Sequence, residues 1–153
     1  MGGNIKLIIF DWGGTLHDPV AKELFPGTIE VLKKLAENYE LALVSLAKSQ
    51  PYAERLRKIE ESGIVPYLKK VLVDEEDKDG LYEKLLKDFD LRPENVAIVD
   101  DRTIRGIAWG NKHSAMTIWI KRGKFANELP NETTGNPTHI INNLSELLTG
   151  GIL

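Results

Sequence analysis

The sequence contains no cysteine, which excludes disulfides, thiol catalysis and cysteine-ligated zinc sites. It also lacks an apolar stretch long enough to span a bilayer, and no basic-then-apolar leader opens the chain. The formal net charge of −3 gives no electrostatic reason to expect a nucleic acid or an anionic membrane surface as a partner. We therefore expect a soluble, cytoplasmic protein without membrane or nucleic-acid partners.

What remains is the composition of a globular protein of 153 residues, 42% hydrophobic and 28% charged, which predicts one domain with a proper core. Short apolar runs alternate with amphipathic stretches. The expected strands are 7–10, 39–44, 71–73, 96–99, 116–120 and 139–141. Five helices are expected. The first begins at 26–28, the second covers 47–62, the third includes 81–89, the fourth covers 103–112 and the last lies around 144–148. This alternation predicts a doubly wound α/β/α sandwich, a three-layer fold around a parallel sheet of five to six strands.

Two helices carry apolar residues at helical spacing, which predicts the faces that they bury. The expected stripe of the first helix is Ile29, Leu32 and Ala36, and that of the second is Tyr52, Leu56 and Ile59. The stretch at His17 and Asp18 is expected to be a polar loop, and residues 121–137 a long polar loop without periodicity.

The first apolar run ends in a single carboxylate, Asp11, followed by Gly13, Gly14 and Thr15. An unbroken apolar strand indicates burial on both faces in a parallel sheet, and open α/β folds bind ligands at the carboxyl edge of such a sheet. Adjacent glycines allow backbone N–H groups to point at an anion without interference from a Cβ atom. The stretch therefore predicts an anion-binding turn beside Asp11.

Polar residues also mark the ends of later elements. Ser45 closes the second strand, Lys78 precedes the third helix, and Asp100 and Asp101 follow the fourth strand. Taken singly, the serine could cap a helix and the lysine could be solvated. Two adjacent carboxylates repel each other unless a cation or a donor lies between them. Taken together, these positions favour one functional site at the carboxyl edge of the sheet.

The order of these residues resembles the four motifs of the haloacid dehalogenase (HAD) superfamily of hydrolases, and the resemblance covers nearly the whole chain. It implies that Asp11 is a nucleophile attacking phosphorus. It further implies that the phosphoryl oxygens are held by a second group of residues. These are Thr15, Ser45, Lys78 and the backbone N–H groups near Gly13 and Gly14.

The resemblance also implies a magnesium ion. Magnesium prefers oxygen ligands and keeps several waters, so a few protein oxygens suffice. The implied ligands are the carboxylates of Asp11 and Asp101 and the backbone carbonyl of Gly13. Asp100 is expected to support them or to bind through a water.

Gly13 departs from the family pattern, because the family's phosphatases carry there a second aspartate that acts as general acid and base. Such help is typically worth ~10²–10⁴-fold in rate. A further aspartate of longer family members corresponds to Gly106. The favoured hypothesis is a phosphohydrolase with a slow proton step, or with His17 or Asp18 as a substitute. The alternatives are a catalytically silent binding or regulatory protein and, less favoured, a phosphonatase-type or dehalogenase-type hydrolase.

The spacing between the motifs leaves no room for a cap domain, since neither the gap from Asp11 to Ser45 nor that from Ser45 to Lys78 is long enough. We therefore expect one capless domain, residues 1–153, with an open site for a phosphorylated small molecule or macromolecule. Capless relatives in the family often borrow cover from a neighbouring subunit, so the resemblance also makes a homo-oligomer plausible. Trp12, Trp109 and Trp119 are candidate contact residues for such an assembly, although core packing is the favoured interpretation for Trp119, because it lies in a strand.

Residues 121–124 add positive charge after the fifth strand. This segment could bind the anionic leaving-group part of a substrate, but a solvated loop is the favoured interpretation.

Overall fold

The computed structural model describes residues 4–48 and 50–153. Its strands are β1 (Leu7–Phe10), β2 (His17–Asp18), β3 (Glu23–Leu24), β4 (Glu40–Leu46), β5 (Lys70–Asp74), β6 (Val96–Asp100), β7 (Met116–Ile120) and β8 (His139–Ile141). Its α-helices are α1 (Thr28–Leu35), α2 (Tyr52–Glu61), α3 (Asp79–Phe89), α4 (Ala108–His113) and α5 (Glu146–Thr149). A π-helical turn, Thr103–Ile107, leads directly into α4.

Six strands form one parallel sheet in the order β5-β4-β1-β6-β7-β8. Side chains of β1 alternate between two apolar layers: Ile8 and Phe10 pack with α1, α2 and α5, whereas Leu7 and Ile9 pack with α3 and α4. All four side chains are almost completely buried, as a central parallel strand covered on both faces requires. The predicted doubly wound α/β/α sandwich is therefore confirmed, with six strands.

The second helix is shorter than expected. It begins at Tyr52 and not at residue 47, because Pro51 is extended (ψ 150°) at the position before it. A proline ring disfavours helical backbone in the residue that precedes it. Within this helix Tyr52 is 48% exposed and only Ile59 is fully buried, so the expected stripe was wrong at Tyr52.

Three further expectations also differ from the structure. In α1 the buried face includes Val31 and Leu35 beside Leu32, while the expected Ala36 is exposed. His17 and Asp18 do not lie in an irregular loop but form β2, which pairs antiparallel with β3 in a small hairpin. A 3₁₀ turn, Gly123–Phe125, interrupts the expected loop over 121–137.

The tryptophans expected to contact a neighbouring subunit are buried within the chain. Trp12 is 2% exposed and Trp109 is 4% exposed, so neither side chain is available to a partner in this structure. None of the helices among the described residues has the length and apolarity needed to cross a lipid bilayer.

Candidate active site

Three carboxylates meet at the carboxyl edge of the sheet. Asp11 directly follows β1, and its N–H donates to the carbonyl of Val99 in β6 (3.0 Å). Asp100 ends β6 and Asp101 follows it. One oxygen from each of Asp11, Asp100 and Asp101 lies within 4.8 Å of the others. We call these three residues the acidic cluster. The three residues come together because β1 and β6 pair in parallel, so that the carboxyl ends of the two strands lie side by side.

Lys78 joins two members of the acidic cluster. Its Nζ donates to Asp11 Oδ1 (2.9 Å) and to Asp100 Oδ2 (3.2 Å), and its side chain is only 3% exposed. Burial opposes the positive charge, but the carboxylates of Asp100 and Asp11 outweigh it and raise the pKa of Lys78 well above its ordinary value. Lys78 is therefore a buried ammonium in contact with two members of the cluster.

The two adjacent aspartates have different environments. Asp100 is completely buried, and besides Lys78 it accepts hydrogen bonds from the N–H groups of Arg102 (3.0 Å) and Gly106 (2.9 Å). Burial disfavours its charge, but Lys78 and these N–H donors lower the pKa of Asp100 below its ordinary value. Asp101, by contrast, has a buried Oδ1 without a hydrogen-bond partner among the described residues, while its backbone carbonyl accepts from Trp119 Nε1 (3.0 Å).

The charges of the acidic cluster are not balanced by Lys78 alone. Burial and the carboxylates of Asp11 and Asp100 raise the pKa of Asp101 to about 9. Burial also raises the pKa of Asp11, although the nearby Lys78 opposes the shift. Without a further cation, burial and mutual repulsion therefore favour the protonated form of one carboxyl group in the cluster.

The acidic cluster fits a hard divalent cation. Mg²⁺ prefers oxygen ligands. The cluster offers one carboxylate oxygen from each of its three residues, and Asp101 keeps a buried oxygen without a hydrogen-bond partner among the described residues. A bound cation would favour the charged form of Asp101 and displace its proton. The division of roles expected from the sequence, with Asp101 facing the ion and Asp100 supporting it, agrees with this hydrogen bonding but stays a prediction.

Gly14 is required because the backbone of the turn after β1 passes close to the side chain of Asp101. Its φ is +80°, and a Cβ atom there would collide with the Asp101 carboxylate. The neighbouring Thr15 is fully buried, and its Oγ1 donates weakly to Asp11 Oδ2 (3.4 Å). The hydroxyl group of Thr15, in the turn after β1, therefore helps to orient the Asp11 carboxylate.

Ser45 lies at the same edge but has a partner that the sequence did not predict. Arg55 of α2 donates from Nη1 to Ser45 Oγ (2.6 Å) and to the carbonyl of Leu46 (3.4 Å). Ser45 is fully buried, whereas Arg55 lines the cleft beside Asp11. The only sequence signal for Arg55 was its place in a predicted helix that follows the second strand.

A cleft of about 450 Å³ opens beside the acidic cluster. Its walls come from the turn after β1, the β2–β3 hairpin, the turn after β6 and the segment after β7. Among the residues that line the cleft are Asp11, Gly13, Asp18, Arg55, Asp101, Arg102, Arg105, Arg122, Lys124 and Phe125. Of the positively charged segment 121–124, Arg122 and Lys124 line the cleft, and Lys121 does not.

Gly13 leaves space in this cleft. A Cβ atom built on Gly13 meets no atom within 4 Å, and its backbone is outside the left-handed region. No side chain of the described residues therefore fills the space next to the Cα atom of Gly13.

The two suggested substitutes for that aspartate lie in different places. Asp18 lines the same cleft as Asp11, and its Oδ1 accepts the N–H groups of Val20 (2.9 Å) and Ala21 (3.3 Å). His17 stacks on Trp12 at 4.8 Å and lines an adjoining cavity of about 740 Å³. Burial and the nearby Arg55 lower the pKa of His17, which favours its neutral imidazole.

The segment after β7 is bound tightly to the site, which the sequence did not predict. Glu128 accepts from the N–H of Thr103 (2.8 Å) and from Nε and Nη2 of Arg102 (3.1 and 3.0 Å). Arg122 donates from Nη2 to the carbonyl of Thr15 (2.6 Å). These contacts join residues 122–128 to the turns after β6 and β1. A polar loop without periodicity gives no sequence signal for such contacts.

Gly106 is needed for the position of Asp100. A Cβ atom there would lie 2.5 Å from Asp100 Oδ2 and 2.8 Å from the Tyr82 hydroxyl. We therefore expect Gly106→Ala to lower the free energy of unfolding by about 1–3 kcal/mol, as overpacking does, measured by urea denaturation. The control is Gly80→Ala in α3, where a Cβ atom meets nothing within 4 Å and alanine should be neutral or stabilising. Equal stabilities of the two variants would contradict the steric argument.

Residues 78–147 match a family model described as HAD-hydrolase-like. The matched part contains Lys78 and both aspartates after β6, but not the stretch around Asp11. Among curated proteins, no sequence is significantly similar to this chain.

Solved structures resemble the chain over most of its length. A haloacid dehalogenase-like hydrolase, SP0104 from Streptococcus pneumoniae, has a TM-score of 0.76 at 14% identity, covering 96% of this chain and 98% of its own. The L-2-haloacid dehalogenase RSc1362 has a TM-score of 0.78 at 13% identity, with 96% and 98% coverage. YfnB from Bacillus subtilis, in a structure bound to magnesium, has a TM-score of 0.68 at 20% identity and covers 82% of this chain and 55% of its own.

Identities this low establish the fold and not the reaction. The chain has the fold of the HAD-like hydrolases, and its residues 78–147 match their family model by sequence.

Proposed function

We propose that this protein is a magnesium-dependent phosphohydrolase of the HAD type that acts through an aspartyl-phosphate on Asp11. The observation that carries the proposal is the position of Lys78, which holds Asp11 and Asp100 with one buried ammonium while Asp101 keeps an unpartnered oxygen. A carboxylate at a cleft, fixed by a cation on one side, is oriented for nucleophilic attack.

In the proposed reaction, an oxygen of Asp11 forms a bond to phosphorus while the bond from phosphorus to the leaving oxygen breaks. Arg55 and the backbone N–H of Gly13 orient the phosphoryl group, whereas the N–H of Gly14 is taken by the His17 carbonyl (2.8 Å). Lys78 lowers the electrostatic cost of bringing an anion to Asp11. Asp11, Asp101 and the Gly13 carbonyl would hold Mg²⁺, which supplies positive charge that offsets the carboxylates and the phosphoryl oxygens. Water then cleaves the aspartyl-phosphate and releases phosphate.

The site lacks an obvious acid for the leaving oxygen and an obvious base for the attacking water. The leaving oxygen must take its proton from water or from the substrate, since Gly13 offers no acid. Asp18, which lines the cleft, is our candidate base for the attacking water. We also propose that the chain is one capless domain with an open site, because only the short β2–β3 hairpin and α1 separate Asp11 from β4.

The test is release of phosphate from p-nitrophenyl phosphate with Mg²⁺ and with a chelator, for the native chain and for Asp11→Asn. We expect magnesium-dependent turnover that falls to background in the variant, because an amide is a far weaker nucleophile. The matched control is Asp90→Asn, the same chemical change at an exposed residue after α3, which should turn over like the native chain. Turnover that survives in Asp11→Asn would overturn the assignment of the nucleophile.

Two other outcomes identify the alternatives. Calorimetric binding of Mg²⁺ and phosphate without any turnover would indicate a silent binding or regulatory protein. Halide release from a 2-haloacid, the chemistry named for RSc1362, without phosphatase activity would indicate a dehalogenase-type hydrolase.

A further inference from the structure

The cleft beside Asp11 has more positive charge than transfer of one phosphoryl group requires. Five cationic side chains line it, against three carboxylates. The cations are Arg55, Arg102, Arg105, Arg122 and Lys124, and the carboxylates are Asp11, Asp18 and Asp101. Two of these carboxylates belong to the acidic cluster, whose charge Lys78 and the implied metal already offset.

Three of the five cations have structural partners. Arg55 binds Ser45 and the side-chain oxygen of Gln50 (2.8 Å). Arg102 is paired with Glu128, and its guanidinium carbon lies 3.7 Å from the centre of the Phe125 ring.

Arg122 is held in the same way. Its guanidinium binds the carbonyl of Thr15 and lies 3.5 Å from the centre of the Phe25 ring. The fold holds these three arginines in place as part of the cleft wall, and each keeps N–H donors beyond those engaged in these bonds.

Arg105 and Lys124 are different. Neither side chain forms a hydrogen bond or an ion pair with another residue in the ranges that the structure describes. Arg105 is partly buried in the π-helical turn Thr103–Ile107, and π-helical turns are frequent at functional sites. Lys124 lies with its Nζ 5.1 Å from the centre of the Phe125 ring. Both therefore line the cleft with donors available to an anion, Lys124 from an exposed position and Arg105 between this cleft and a neighbouring one of about 630 Å³.

We propose, on the basis of the proposed function, that the substrate carries a second anionic group on its leaving-group side and that Arg105 and Lys124 bind it. The favoured substrates are thus phosphate esters that also bear a carboxylate or another phosphate. A guanidinium presents paired donors that match a carboxylate or phosphate, and a half-enclosed cleft screens this attraction less than open solvent does.

The experiment compares two ligands that differ in one group. Glycerol 3-phosphate and 3-phosphoglycerate share a three-carbon skeleton, but the second has a carboxylate where the first has a hydroxymethyl group. Their dissociation constants are measured by calorimetry with Mg²⁺ on the Asp11→Asn chain, which prevents turnover. We expect 3-phosphoglycerate to bind at least about tenfold more tightly, the size of one charge-assisted hydrogen bond.

Adding Arg105→Gln to the same background should bring the ratio of the two dissociation constants close to one. The control is Lys121→Gln, which removes the same charge from an exposed lysine that lies outside the cleft, 5.7 Å from the Trp119 ring, and should leave the ratio unchanged. The two dissociation constants are compared within one variant, so a general loss of stability would weaken both and would not change their ratio.

Three results would overturn the inference. Equal binding of both ligands overturns the second anion site, and so does a ratio of dissociation constants that Arg105→Gln does not change. In either case, a positive p-nitrophenyl phosphate assay leaves the proposed function standing. Absence of binding by either ligand, together with no phosphatase activity, overturns both.

Discussion

Replacing Gly13 with aspartate is expected to raise phosphatase turnover by ~10²–10⁴-fold, the usual contribution of a positioned acid or base. The substitution fits because a Cβ atom at Gly13 meets nothing within 4 Å and the backbone is not in the left-handed region. The new carboxyl group would lie in the cleft two residues from Asp11, where it could protonate the leaving oxygen and then activate water. The measurement is kcat for p-nitrophenyl phosphate and for an alkyl phosphate.

The alkyl phosphate is the more informative substrate, because its leaving alkoxide is a strong base and depends most on an acid. The matched control is Gly13→Asn, which has the same shape but no proton to exchange at neutral pH, and should not increase turnover. An equal gain for the asparagine variant would show that filling the space, and not acid–base chemistry, limits the native rate. No gain for aspartate would mean that another residue, such as Asp18, already supplies the proton step.

Replacing Lys78 with methionine is expected to lower the free energy of unfolding by about 3–5 kcal/mol, the typical cost of removing one partner of a buried ion pair. The ammonium lies between Asp11 and Asp100 and is 3% exposed, so its loss leaves two carboxylates close together in a poorly hydrated site. We also expect phosphatase activity to fall to background. Stability is measured by urea denaturation in chelator, so that a divalent ion does not compensate.

The control for Lys78→Met is Lys84→Met, which breaks an exposed ion pair to Asp88 with the lysine 54% exposed. Such surface pairs contribute about 0–1 kcal/mol. The pH dependence has a definite sign: without the ammonium, the folded-state pKa values of Asp11 and Asp100 rise, so the loss of stability grows from pH 5 to pH 8. Equal losses for the two lysine variants would show that the buried pair does not stabilise the fold.

The difference between these lysines could not be predicted from their surroundings in the sequence. Lys78 lies in a run of charged residues that resembles a solvated loop, yet it is among the most buried charged side chains described. Its burial follows from its place at the start of α3, directly below the ends of β1 and β6. The motif spacing identified it, but only the packing of these elements shows that both Asp11 and Asp100 bind it.

The helices were predicted less well than the strands, for a physical reason. The six strands of the parallel sheet are short apolar runs, so their positions can be read locally and all six were predicted, whereas the two-residue strands β2 and β3 were not. A helix on the outer layer has few buried residues, and its start depends on capping and on proline, as Pro51 shows for α2. The contacts of Glu128 and Arg122 with the site had no local signal, because polar loops are held by whichever partners the fold brings to them.

The sequence by itself determined the parallel sandwich and the edge at which Asp11, Ser45, Asp100 and Asp101 gather. Strand burial is encoded in short apolar runs, and each of these polar residues ends or directly follows such a run. Tertiary structure decided the charge state of the site: which aspartate Lys78 holds, which oxygen of Asp101 lacks a partner, and which arginines reach the cleft. Those properties depend on distances between residues far apart in the chain, and electrostatic energies change steeply with such distances and with burial.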